Sequence, residues 1–411
     1  MDNELSRDWP GASAFTGSGP RKVRETLERQ YLEFYSDSVF PVMFSVIAGN
    51  FDEVVRFYVS SRLEDEHRFR ASEFLFWCYV DLMAAETDAS RLDIDLSSFE
   101  LWMRARGNLI PMTLAAVEMT QLARLLKDDF IDGHDMRWNQ QALRKRVNDD
   151  KAILAADLLN HLSILLAIEC DNLIPYEQAG RRRSSVQQRI AEYLWRSTKA
   201  MLWELDFGDG ARRARNGGVA PDVYAEILSM KHSTGVLSIR ILEIVATSGA
   251  SAGKFMGSDD DIGNRLDRWL AGAQASDYVG GVFNDWSEVS NYRGSKGQWD
   301  RVHQLRGAKN EVELDRPTIV HRYLQTADFP RSCPEQVGCD LADQLTYLLN
   351  NPWESGLAKY VKETVDRKYS EALEDLEALP RLHRWLSYVR DDRADVFSEV
   401  SSTPTLDDDP L

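Results

Sequence analysis

The stretch Lys127-Asp128-Asp129-Phe130-Ile131-Asp132-Gly133-His134-Asp135-Met136-Arg137 decides how the rest of the chain is read. It closes a run from Leu114 to Phe130 whose apolar residues recur at helical spacing. On that helix Asp128 and Asp132 are four apart and share a face, with Asp129 flanking. A dry helix face keeps that much negative charge only where something cationic sits. Oxygen ligands without histidine or cysteine suit Mg²⁺, which prefers a few carboxylates, several waters and the phosphates of a substrate. Arg137, just beyond, is placed to fork onto a phosphate. The implied ligand is a metal-bound diphosphate.

Working outward, the 411 residues are 43% hydrophobic and include 11 Trp and 16 Phe, enough for a sizeable core. A net charge of −17 argues against nucleic acid or an anionic membrane as partner, because both select a basic surface. No window reads as the roughly 18 uncharged apolar residues of a membrane span, and the polar N-terminus does not read as a signal peptide. Cys78, Cys170, Cys333 and Cys339 lack metal-ligand spacing and read as reduced thiols of a cytoplasmic protein.

Residues 1–22 and 392–411 have the Gly, Ser, Pro and charge content of disordered ends. Between them, residues 23–391 are expected to form a single all-α domain. Helical spacing governs Leu114 to Phe130, Ala152 to Ile168, Val223 to Val245 and Leu266 to Val282. Strand alternation bounded by hairpin turns is scarce. Asn216-Gly217-Gly218 and Ala220-Pro221-Asp222 separate one helix from the next.

A second acidic cluster, Asn284-Asp285-Trp286-Ser287-Glu288, closes another apolar helical run, with Asn284 and Glu288 four apart. Asn-Asp clusters also simply end helices, so this one is the weaker signal. Between the two clusters, Tyr224 to His232 carries a single lysine, Lys231, on a mainly apolar stretch. Such a lysine snorkels to solvent or serves as counter-charge to a diphosphate.

Taken in order, these segments resemble the trans-isoprenyl diphosphate synthases, the polyprenyl synthetase family within the class I isoprenoid synthases. The resemblance runs roughly from Ala105 to Leu324. Ala115 to Gln121 leads into Asp128, Asp129 and Asp132 at the family's distance, and Arg137 falls on the first arginine of its Arg-Arg pair. Ala152 to Leu159 looks like its Ala-Ile-Leu-x-Gly-Asp helix, and Lys231 sits where its Lys-Thr helix carries the lysine. Asn284, Asp285 and Glu288 fall where its second aspartate-rich motif is expected, with Lys296 near a downstream lysine. The resemblance implies an all-α helical bundle around a central apolar pocket, commonly homodimeric. It also implies about three Mg²⁺ ions bridging the two acidic motifs to an allylic diphosphate (geranyl, farnesyl or geranylgeranyl), whose carbon–oxygen bond ionises.

Departures from the family concentrate on the acceptor side. Where the family holds isopentenyl diphosphate with a Gly-Lys-x-x-Arg-Pro-like segment, this chain has Arg106-Gly107-Asn108-Leu109-Ile110-Pro111. Trp138 replaces the second arginine of the pair, and only Gln121 suits that subsite. Each lost charge-assisted contact is worth about 1.5–3 kcal/mol. Arg104 and Arg106 compensate only if the register slips. Trp138, Trp203 and Trp286 either pack the core or stabilise a carbocation through their π faces. The leading expectation is a Mg²⁺-dependent terpene synthase on a prenyl-synthase scaffold. The alternatives are a prenyltransferase with a rebuilt acceptor site and a non-catalytic partner subunit.

Overall fold

The computed structural model describes residues 29–64, 71–87, 96–137, 140–174, 184–213, 221–248, 255–256, 259–293, 318–326, 329, 334, 337 and 341–399. Within them the chain is helical, as expected. A π-helical turn, Tyr35–Val39, runs into α1 (Phe40–Asn50), followed by α2 (Glu53–Glu64), α3 (Ser72–Thr87) and α4 (Leu96–Arg104). The central helix is α5 (Leu109–Ile131). A two-residue hairpin, β1 (Met136–Arg137) with β2 (Gln140–Gln141), pairs Arg137 with Gln140 and leads to the short α6 (Leu143–Arg146). Then come α7 (Asp149–Leu173), α8 (Val186–Arg213), α9 (Pro221–Lys231), α10 (Thr234–Thr247) and α11 (Asp259–Arg293). Among the described residues these are followed by α12 (Ile319–Leu324), α13 (Leu341–Asn350), α14 (Leu357–Asp375) and α15 (Pro380–Glu399).

Helix α5 is the core. From Leu109 to Leu126 every residue but Met112 is buried, as befits a helix apolar on all sides. Buried polar groups in its first half are paired: Thr113 shares a hydrogen bond with the Tyr79 hydroxyl at 2.8 Å, and Glu118 accepts from the Ser72 hydroxyl at 2.9 Å. Around it pack α7, α8, α10, α3 and the π-turn, while α11 lies between α10 and α14.

Three details differ from the sequence reading. The run Val223 to Val245 is two helices, broken at His232-Ser233, because Asp277 of α11 accepts from the Gly235 and Val236 amides at 2.8 and 3.0 Å. A carboxylate from outside therefore satisfies the orphan donors that let a new helix start there. Helix α15 runs to Glu399, past Asp392 where a disordered tail was expected; residues 1–22 and 400–411 lie outside the described residues. Two helices, Leu109–Ile131 and Asp149–Leu173, are long and apolar enough to cross a membrane, with 89% and 44% of their apolar windows buried inside the chain. The first is the core helix. Cys78 and Cys170 are buried free thiols, and Cys333 and Cys339 lie outside the described residues.

Candidate active site

The carboxylates of the opening stretch sit at the wrong end of a helix. Asp128 and Asp129 close the last turn of the 23-residue α5 and Asp132 is its C-cap, followed by Gly133 at φ +71°. Carbonyls and helix dipole make that end negative, so each added anion there is unfavourable unless a cation answers it. Asp129 turns inward, 2% exposed, with its Oδ1 3.5 Å from His134 Nδ1. Asp128 and Asp132 are half-buried at the rim. Nearby, Lys127 pairs with Asp157 of α7 at 2.6 Å.

Among the described residues, Lys231, the last residue of α9, is a cation that answers Asp128. It is 5% exposed, donates to Glu204 Oε1 of α8 at 2.9 Å, and lies 3.5 Å from Asp128 Oδ1. One ammonium is thus shared by two carboxylates from two other helices, and it does not snorkel to solvent. Burying such a group costs several kcal/mol unless it is paired this closely. The donor set here is all oxygen, the kind a hard divalent cation takes. Among the described residues, however, no three carboxylate, histidine or cysteine groups gather tightly enough to hold a cation unaided.

Further back along α5 the interior holds a group of polar side chains. Gln121 accepts from Arg124 Nε at 3.2 Å and from the Tyr193 hydroxyl of α8 at 3.1 Å, all three being buried. Burial raises the Tyr193 phenol to about 12. It also drives the His232 imidazole well below its ordinary range, helped by the positive charges of Arg124 and Lys231. Desolvation raises the Asp277 carboxyl to about 8, against the two amides that favour its charged form. Close packing holds α11 here: a Cβ on Gly281 would meet the Leu228 side chain at 2.8 Å and His232 at 3.0 Å.

The second acidic cluster is placed differently from the first. Asn284 is exposed, whereas Asp285 is buried, accepting from the Tyr224 hydroxyl at 2.7 Å and from the Ile319 amide at 2.8 Å. Asp285 therefore joins α11 to the start of α12. Trp286 lies in the core, edge-on to Trp353 at 5.5 Å between ring centroids, and Trp203 is half-buried with Lys199 Nζ 4.4 Å from its ring centroid. Two turns earlier on α11, Asp277 caps the start of α10 just beyond the Lys231 segment, which Asp285 itself meets through Tyr224. Sequence reasoning missed Asp277, although an aspartate inside the apolar run Leu266 to Val282 was a signal. Glu204, His232 and Tyr193 were missed as well, and Glu204 carries no signal in its neighbourhood. Only the backbone of Arg137 and Glu288 is described, and Trp138 and Lys296 lie outside the described residues.

On the acceptor side the cations that were to compensate are already engaged. Arg106 pairs with Glu86 and stacks 4.0 Å above the Trp102 ring, and the exposed Arg104 pairs with Glu100 at 3.6 Å. Gly107, at φ +59°, makes the turn into α5, and Ile110 is completely buried.

Comparison with known proteins gives the same outline. The polyprenyl synthetase family model matches residues 98–250. No curated protein matches the chain. Among solved structures, a decaprenyl diphosphate synthase from Rhodobacter capsulatus superposes with a TM-score of 0.58 at 15% identity, over 92% of this chain and 100% of that one. A heptaprenyl diphosphate synthase from Staphylococcus aureus gives 0.56 at 14% identity, over 91% and 99%. A polyprenyl synthase from Caulobacter crescentus, complexed with calcium and isoprenyl diphosphate, gives 0.54 at 15% identity, over 92% and 100%. At these identities the likeness speaks for the fold alone. Residues 98–250, which include α5 with its carboxylates and Lys231, belong to the polyprenyl synthetase family, and the chain around them has the all-α fold of the trans-isoprenyl diphosphate synthases.

Proposed function

We propose that this chain is a divalent-metal-dependent prenyltransferase. It would ionise an allylic isoprenoid diphosphate and join the allylic group to an acceptor, isopentenyl diphosphate, that it binds weakly. The observation that carries this reading is the anionic C-terminal end of α5, with Asp128 and Asp132 at the rim and the buried Lys231 opposite. Asp128, Asp132 and Glu204 would hold Mg²⁺ together with the diphosphate. The metal supplies Lewis acidity toward the leaving group's oxygens. Lys231 would move from Glu204 onto a phosphate oxygen as charge develops there, a contact stronger in the transition state than before it. Arg137, on the hairpin directly after the carboxylates, is proposed as the second cation for the leaving diphosphate. Neutral His232 adds no second positive charge beside that of Arg124.

Family membership of the segment and the neighbouring synthases favour transfer over the cyclisation that the sequence first suggested. A cyclase remains the second reading, favoured by one feature: Arg106 is tied to Glu86 and Ile110, where the family carries an arginine, is buried. Purified protein with Mg²⁺ and geranyl, farnesyl or geranylgeranyl diphosphate, each with and without isopentenyl diphosphate, separates the readings. Products longer by five carbons support transfer, and hydrocarbon from the allylic substrate alone supports cyclisation. No turnover under any condition supports a non-catalytic partner subunit. A second copy of this chain is proposed as partner; α7 and α8 leave Leu154, Leu165, Trp195 and Leu202 more than half exposed.

A further inference from the structure

A concave site away from the acidic rim combines two features that belong together in a ligand pocket. A cavity of about 520 Å³ opens between α1, α2 and α6. One side is apolar and wet: Phe44, Val54 and Phe57 line it while remaining 43%, 48% and 65% exposed. The other side carries Arg56, Arg146 and Ser60. Neither guanidinium makes an ion pair among the described residues, although Glu53 also lines the cavity and the chain as a whole carries a charge of −17. Arg146 lies only against the face of Tyr58, at 5.3 Å from the ring centroid. Its Nε and the Ser60 Oγ are both buried without a hydrogen-bond partner.

Each feature is unfavourable alone. Buried donors left unsatisfied cost about 1–3 kcal/mol each, and exposed Phe and Val side chains keep apolar surface in water. One ligand would relieve both. Guanidinium groups present forked donors that match phosphate oxygens, and the apolar side would cover a hydrocarbon tail. The volume lies within the roughly 300–1,000 Å³ usual for small-molecule sites. A single dissolved molecule suits it better than a bilayer surface, which would repel so acidic a chain.

We propose that this cavity binds one phosphate-bearing hydrocarbon chain, with its head on Arg56, Arg146 and Ser60 and its tail on Phe44, Val54 and Phe57. The proposal is independent of the reaction at the acidic rim. Calorimetric titration of the full chain without Mg²⁺ tests it, using octyl phosphate below its micelle concentration. Octyl phosphate should bind at least tenfold more tightly than inorganic phosphate or octanol. Arg56→Gln with Arg146→Gln should weaken it tenfold or more, and so should Phe57→Ser, a change at an exposed position that cannot unfold the chain. Asp128→Ala should leave the binding intact. Equal affinity for inorganic phosphate would overturn the proposal. So would unchanged binding in both cavity variants, loss of binding in Asp128→Ala, or binding only to phosphatidylglycerol vesicles.

Discussion

Lys231 reaches from the end of α9 to Glu204 of α8, Nζ to Oε1 at 2.9 Å, in a setting where both side chains are nearly excluded from water. With Asp128 on its other side, this lysine holds three helices together at the rim. Lys231→Met should therefore cost both stability and turnover. Two carboxylates would lose their shared counter-charge, a loss of about 3–5 kcal/mol for a buried pair broken on one side. Glu204→Gln keeps a hydrogen-bond acceptor and should cost less than about 2 kcal/mol. Urea unfolding of the two variants measures the difference; equal stabilities would show that the pairing does not matter.

Asp128→Ala and Asp132→Ala should behave differently. Asp132→Ala removes an anion from the negative end of α5, so its melting temperature should hold or rise slightly, whereas Asp128→Ala also takes one partner from the buried Lys231 and should melt lower. Turnover should fall at least a hundredfold in both, because each carboxylate is proposed to hold the metal. Thermal melts paired with a pyrophosphate-release assay check both halves.

Stability should decline as pH rises through the neutral range, with Asp277 as one cause. Its folded carboxyl is raised to about 8 from an ordinary 3.8, so the folded state holds a proton that the unfolded chain releases first. A group of this kind lowers stability between about pH 4 and pH 8, where the unfolded state binds fewer protons. Asp277→Asn removes that proton linkage while keeping an oxygen acceptor for the Gly235 and Val236 amides. Its melting temperature should vary less than wild type between pH 5 and pH 9; identical profiles would contradict the assignment.

Restoring the family's arginine at the acceptor side should fail for a structural reason. Ile110 is fully buried at the start of the core helix, so Ile110→Arg places an unpaired charge among apolar neighbours and should cost more than about 3 kcal/mol. Arg106→Gln should lower stability modestly, by freeing Glu86, without changing the KM for isopentenyl diphosphate. A large rise in that KM would mean that Arg106 serves the substrate after all.

What the sequence made legible follows from what is local. Helical spacing from Leu114 to Phe130 and the carboxylates at 128, 129 and 132 are properties of one segment, and they fixed both the class of fold and the face of the first acidic motif. Contacts between helices were not legible. Glu204 and Lys231 are 27 residues apart and meet only because α8 and α9 pack side by side. Asp277, two turns before Asn284 and Asp285 on the same helix, was not singled out. Periodicity gives a helix its face, but not the turn at which a partner helix begins, and here α10 begins opposite Asp277. Arg124 had no meaning as a residue in a run; in the fold it shares Gln121 with Tyr193.

The most direct measurement is product analysis with Mg²⁺, farnesyl diphosphate and increasing isopentenyl diphosphate. The account predicts pyrophosphate release that depends on isopentenyl diphosphate, a product five carbons longer, and a KM for the acceptor far above that for the allylic substrate. Hydrocarbon formed from farnesyl diphosphate alone, at a rate indifferent to isopentenyl diphosphate, would contradict it.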